Sequence, residues 1–382
     1  MNQQAPKSTR GIHFQNLDSL RTLAFLSIFI HHGLFTESAW IQSTRMYEVL
    51  EYVKAPAGFG VPLFFVLSGF LISYLILEEK KRFGTFSIKN FYIRRFLRIW
   101  PLYYAVIIFG FVIFPWLRSL LHLPGYIENA NPWMYAAFLG NFDQIKNGLP
   151  YGAGLGVTWS LSVEEQFYIF WPALLLFFSK KMPQYILAIS VIIISMLCKW
   201  IFWWDDSNTL VCMGYLGLGA LLSFAVQYNF NGLKKIQSIP KIGLAGIYLL
   251  GICILYIHPY LYFAYTYPFF ILLIGLFFVF VVYDQAFNPH SFFKLKKIPW
   301  FEKLGKYTYG FYLIHTISNF VVYNLFQLTG LNGKEDGIWQ FLILRPLSSL
   351  LLTIVLGMLS YRFFEKPFLN LKNRFSKIKT SS

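Results

Sequence analysis

Residues 17–36 read LDSLRTLAFLSIFIHHGLFT, an apolar stretch long enough to cross a bilayer as one helix. It carries charge at one end and two histidines at the other. Asp18 and Arg21 are three apart and share a helical face. Arg21 and His32 are eleven apart, which at about 100° per residue returns to within about 20° of the same face, with a rise of roughly 16 Å. His31 points about 80° away from Arg21 on the same wheel. Ionisable groups at membrane depth are costly unless they meet a partner or a cavity, so Asp18, Arg21 and His32 mark this helix as more than an anchor. The plain alternative is a snorkelling arginine below an ordinary helix end capped by interfacial histidines.

The rest of the chain follows the same solvent logic. Of 382 residues, 56% are hydrophobic and only 13% are charged. A soluble protein carries about 25% charged residues, so this chain needs lipid as its main solvent. Further apolar runs fall at 58–78, 96–117, 158–179, 184–204, 208–228, 241–258, 261–284, 308–328 and 339–364. These predict an all-α, polytopic transmembrane bundle of about ten helices. Residues 131–142 are too short to span and are expected to be interfacial or re-entrant.

The net charge of +16 raises the question of nucleic acid, and its placement answers it. With the N-terminus cytoplasmic, inner segments hold Lys7, Arg10, the 80–98 cluster, the 234–241 and 294–306 lysines and the C-terminal basic residues. Outer segments hold only Arg45, Lys54, Arg118, Lys146 and Lys334. Positive charge retained inside predicts both termini cytoplasmic and explains the charge without nucleic acid. No cleavable signal peptide is expected, because the first apolar run leads directly into more membrane segments. Cys198, Cys212 and Cys253 lie in apolar runs without metal spacing, and are expected to be buried, inert thiols. No metal site is expected. Two outer loops are long, about 37–57 and 118–157. The second holds Gly148, Gly152, Gly154 and Gly156 and is expected to be irregular and able to approach a ligand.

Four other segments carry chemistry. In VPLFFVLSGFLISYLI, Ser68 and Gly69 lie mid-membrane, where small residues let helices approach. FYIRRFLRIWPLYY places Arg94, Arg95 and Arg98 just inside the third span; Arg95 and Arg98 share a face suited to phosphates or lipid headgroups. TWSLSVEEQFYIFWP opens a span with adjacent Glu164 and Glu165, placed by their distance from its outer end at about the depth of His32. A carboxylate there would orient the imidazole and raise its basicity, or bind a sugar acceptor. The plain alternative is a helix-dipole complement with Thr158 or Ser160 as N-cap. KYTYGFYLIHT places Tyr309 and His315 on the ninth span, six apart and not co-facial, with a core role for His315 as the simpler reading. SYRFFEKPF ends the last span with Arg362, Glu365 and Lys366, and Pro367 is expected to stop it, leaving a short basic tail on the inner leaflet.

The runs LDSLRTLAFLSIFIHH, FFVLSGFLISY, RRFLRIWPLYY, WSLSVEEQFYIFWP, TYGFYLIH and FFEKP, in this order, resemble the acyltransferase-3 family of bacterial membrane O-acyltransferases. The resemblance covers about 13–370, and 1–382 is taken as a single domain of this kind. It implies that Arg21 and His32 are the family's arginine and histidine of the first helix. It further implies that Arg95 and Arg98, with Arg94 beside them, form its arginine motif, and that Glu164 or Glu165 is its glutamate. Some members carry a fused extracytoplasmic SGNH hydrolase-like domain; this chain is expected to lack one.

The activity implied is transfer of an acyl group, most simply acetyl, from cytoplasmic acyl-CoA to a hydroxyl of a cell-envelope glycan or lipid-linked sugar, at the cytoplasmic membrane. No permanently bound cofactor is expected; acyl-CoA is the donor substrate. His32 is the expected general base, Arg94, Arg95 and Arg98 the donor-phosphate site, and Ser68, Tyr309 and His315 candidates for substrate or oxyanion contact. A secondary transporter or polysaccharide exporter is the alternative. It predicts inverted repeats and helices broken at equivalent positions, and the sequence shows neither.

Overall fold

The structure, a computed structural model, describes residues 14, 16–36, 38–120, 122, 125–202, 205–258, 266–329 and 337–378. Lys7, Arg10, Lys334 and Lys379 of the charge distribution, and the first residues of the predicted 261–284 run, lie outside them. All regular structure among the described residues is helical.

The principal helices are α1 (Leu17–Gly33), α2 (Gly60–Phe83), α3 (Ile88–Ile108), α4 (Pro132–Ala136), α5 (Gly140–Asn147), α6 (Trp159–Phe177) and α7 (Lys181–Phe202). They continue with α8 (Thr209–Gln227), α9 (Lys241–Ile257), α10 (Tyr267–Phe287), α11 (Pro299–Gly305), α12 (Thr308–Leu328), α13 (Arg345–Ser360) and α14 (Lys366–Asn373). Six described helical stretches are long and apolar enough to cross a membrane: Arg45–Phe83, Ile88–Leu120, Lys181–Phe202, Thr209–Gln227, Tyr267–Phe287 and Gly337–Asn373.

Local sequence sets the boundaries. Gly84, at φ 72°, ends α2 by sending its N–H back to the Lys80 carbonyl, and the Ser87 hydroxyl accepts from Asn90 N–H to start α3. Asn131 and Asn208 cap α4 and α8 in the same way.

Backbone contact organises the bundle. A Cβ on Gly69 would lie 2.0 Å from the Leu216 carbonyl oxygen, and one on Gly219 would lie 2.1 Å from that of Val66. Only glycine at both positions lets α2 and α8 approach this closely. The largest apolar core gathers around this contact, with Phe65, Phe70, Trp171, Leu216, Phe224 and Ile274 buried together. Gly305 of α11 similarly rests against Asp18, where an added Cβ would be 2.4 Å from the Asp18 Cβ. Charged residues inside the apolar segments find partners: Lys199 pairs with Asp206 at 2.8 Å, and Arg345 donates to the Phe35 carbonyl.

Several expectations need correction. Pro367 does not stop the last span. The backbone passes through a π turn at Tyr361–Glu365 and continues without a break as α14, with Pro367 its second residue. The tail also has partners within the protein. α14 packs on α3, and Arg94 donates to the Phe375 carbonyl at 2.8 Å. Cys253 is exposed, unlike Cys198 and Cys212. The 118–157 loop is largely built: α4 is tied to α3 by Tyr103 and Tyr104, which donate to the Tyr135 and Ala136 carbonyls at 2.8 Å each, and α5 is tied to α4 by Gln144, which donates to the Tyr135 hydroxyl at 3.1 Å. Two of its glycines, Gly152 and Gly154, serve close packing. Gly154, at φ 86°, lies against Ile317 and Val106, and Leu155 beside it is fully buried.

Candidate active site

α1, α2, α3, α6 and α12 surround a cavity lined by Asp18, Arg21, Ser68, Arg95, Arg98, Glu164, Tyr168, Tyr309 and Tyr312 together with apolar side chains. Three guanidinium groups therefore share one space. Arg21 donates to Asp18 at 2.5 Å, as their spacing predicts. Arg95 packs its guanidinium over the Tyr168 ring at 5.0 Å and the Phe91 ring at 5.5 Å. Arg95, Arg98 and Leu75 also line a second cavity, with Glu79, Arg94, Lys372 and Ser376. The two spaces meet at the Arg95–Arg98 pair, so ridge-sharing on α3 gives each guanidinium access to both.

Arg94 has a different job. Its Nη2 pairs with Glu79 at 3.2 Å and its Nη1 holds the Phe375 carbonyl. Two of its donor groups are thereby committed to fixing α2 and the C-terminal segment to α3.

The glutamates separate sharply. Glu164 lines the first cavity and accepts from the Ser68 hydroxyl at 2.6 Å. Glu165 turns to α3, where its Oε2 accepts from Trp100 Nε1 at 3.1 Å, and it does not line the cavity. Neither bonds His32, which corrects the expected carboxylate–histidine contact. The reason lies upstream: the glycine loop tucks between α3 and α12 and carries the start of α6 inward, so that Ser160 already meets the Tyr312 hydroxyl at 2.6 Å. Glu164 then falls beside Arg21 rather than at the histidine end of α1. Thr158 is the N-cap residue of α6, but its hydroxyl donates to the Leu155 carbonyl, and neither glutamate lies in the first turn.

His32 is exposed and does not line the cavity. Its Nδ1 lies 2.9 Å from Nε2 of His315, which is fully buried and whose Nδ1 lies 2.6 Å from the Tyr312 carbonyl oxygen. His31 faces the other way, with its ring against Gly58. Tyr312 thus stands in both sets, its side chain on the cavity and its carbonyl on His315. The Tyr309 hydroxyl donates to the Ile99 carbonyl at 2.6 Å, and Ser68 donates to Glu164. Both protons are engaged within the protein. Sequence spacing missed Glu79, Trp100, Tyr312 and Lys372. Only Tyr312 had a signal, lying three residues before His315 and thus on its face. Among the described residues, no group of histidine, cysteine and acidic side chains is placed to hold a metal ion.

Comparison with known proteins places this geometry. The peptidoglycan O-acetyltransferase OatA of Listeria monocytogenes is 28% identical over 380 residues, covering 92% of this chain and 55% of that protein. A Bacillus subtilis protein named "Putative peptidoglycan O-acetyltransferase YrhL" is 26% identical over 394 residues, covering 94% and 56%. The chain therefore spans a little over half the length of these relatives. No solved structure matches it. The acyltransferase-3 model, described as an acyltransferase domain, matches residues 14–362. The chain belongs to the acyltransferase-3 family, as its ordered motifs indicated.

Proposed function

We propose that the protein moves an acetyl group from cytoplasmic acetyl-CoA to a hydroxyl of a cell-envelope glycan, peptidoglycan or its lipid-linked precursor, with His32 as general base. In this reading the ten apolar segments all span the cytoplasmic membrane and both termini face the cytoplasm. The positive charge of the inner segments supports that orientation. The names of the two relatives support the glycan acceptor.

One observation carries the donor: Arg95 and Arg98 border both cavities. A polyanion held there from the inner face can extend its neutral arm past Arg21 and Glu164 toward Tyr312. The cavity lining stops short of His32, so the thioester reaches the imidazole only if Tyr312 yields. The acceptor approaches from the exposed side of His32. His32 takes the hydroxyl proton, the oxygen bonds to the thioester carbonyl carbon, the C–S bond breaks, and the proton passes from the imidazolium to the leaving sulfur. The products are an ester and free coenzyme A.

The test is mass spectrometry of envelope glycans from strains carrying wild-type protein, none, or His32→Ala at matched protein levels. Loss of one acetyl unit without the protein and with the variant is expected. Normal acetylation in the His32→Ala strain overturns the base assignment, and unchanged glycans without the protein overturn the acceptor.

A further inference from the structure

The histidine pair has a direction. A carbonyl oxygen only accepts, so at 2.6 Å from the Tyr312 carbonyl the Nδ1 of His315 carries a hydrogen. A neutral His315 then has a bare Nε2. That nitrogen lies 2.9 Å from His32 Nδ1, so His32 donates through Nδ1–H and leaves its own Nε2 with the lone pair. The alternative, a doubly protonated His315, would bury a charge among Phe25, Phe29 and Tyr312 with no carboxylate among the described residues bonded to either ring.

We propose that His315 is the positioning residue of the reaction: it fixes His32 in the tautomer whose Nε2 is the proton acceptor, replacing the carboxylate that usually orients such a base. This rests on the reading of His32 as base and deepens it by naming the reacting atom and what aims it. The chain runs from the Tyr312 carbonyl through His315 to His32, and all its members are neutral before the reaction. When the acceptor hydroxyl gives its proton to Nε2, the resulting imidazolium keeps its Nδ1–H on His315, a charge-assisted bond stronger than the one it replaces. The same proton leaves from Nε2 to the thiolate when the C–S bond breaks, and the pair returns to its starting tautomers. A neutral relay suits this position, because it orients the base without burying a permanent ion pair. The other groups facing His32 are His31, its neighbour on α1 with ring centroids 5.2 Å apart, and Lys54. Lys54 is itself held by the Leu34 carbonyl and Glu51.

The experiment reads His32 without needing any acceptor. Membranes containing the full chain are treated with diethyl pyrocarbonate across a pH series, and carbethoxylation at His32 is followed by tandem mass spectrometry. Glutamine at position 315 can accept from His32 through Oε1, so His315→Gln should keep the plateau rate within about threefold. His315→Leu removes the acceptor; the plateau rate should fall about tenfold or more, because the imidazolium forming on attack loses its hydrogen-bond acceptor, with a displaced pH midpoint. Val322→Ala, a buried change on the same helix, should leave both unchanged. A His315→Leu profile matching wild type overturns the relay, and so does an equal loss in all three variants. Because no acetyl transfer is measured, failure of the acyltransferase reading leaves this outcome separately legible.

Discussion

Ser68 on α2 and Glu164 on α6 are joined by a 2.6 Å hydrogen bond inside the cavity that also holds Arg21, Arg95 and Arg98. The carboxyl group is thus pinned by a neutral donor in a space it shares with three guanidinium groups. Its chain neighbour Glu165 is spent on Trp100, outside that space. Adjacent residues on a helix diverge by about 100°, and here that angle decides which carboxylate borders the cavity.

The two glutamates should therefore differ on substitution. Glu164→Gln keeps an acceptor for Ser68 but removes the charge facing the arginines, and should lower acetyl transfer by about tenfold or more, about 1.4 kcal/mol per decade. Glu165→Gln retains an oxygen for Trp100 and should stay within about threefold. Initial rates of acetyl transfer at matched protein levels check this; equal losses would contradict the geometry.

The arginines should divide by role. Arg98→Leu and Arg95→Leu each remove a guanidinium from the junction of the two cavities, and KM for acetyl-CoA should rise about tenfold or more. Arg94→Leu should raise KM far less, because its donors are held by Glu79 and Phe375. Steady-state kinetics in proteoliposomes separates the cases.

Arg94 instead governs the C-terminal segment. Arg94→Leu and Glu79→Gln both break the 3.2 Å pair, and Arg94→Leu also frees the Phe375 carbonyl. Limited proteolysis from the cytoplasmic side should cut the 366–378 region faster in both variants. Wild-type cleavage rates in Arg94→Leu would remove this role.

The α2–α8 contact predicts a large difference between glycines. Gly219→Val places a branched side chain where a Cβ alone would be 2.1 Å from a carbonyl oxygen, and should destabilise by about 3 kcal/mol or more. Gly246→Ala, with open space around it on α9, should be neutral or stabilising by about 0.4–1 kcal/mol. Thermal unfolding in detergent reads both.

What the sequence determined by itself was everything that depends on composition and helical period. Low charge and long apolar runs dictate helices; a three-residue spacing puts Asp18 on Arg21; a 100° step sends His31 and His32 to different neighbours. The ordered motifs named the family. Only the tertiary structure decided who meets whom between helices. The depth of Glu164 depends on how far the glycine loop pulls α6 inward, and spacing from a presumed outer end cannot register that displacement. The pairing of His32 with His315 joins residues 283 positions apart, and no local periodicity encodes such a distance. Pro367 was misjudged for a related reason: a π turn at Tyr361–Glu365 shifts the hydrogen-bond register just before it, and the helix continues.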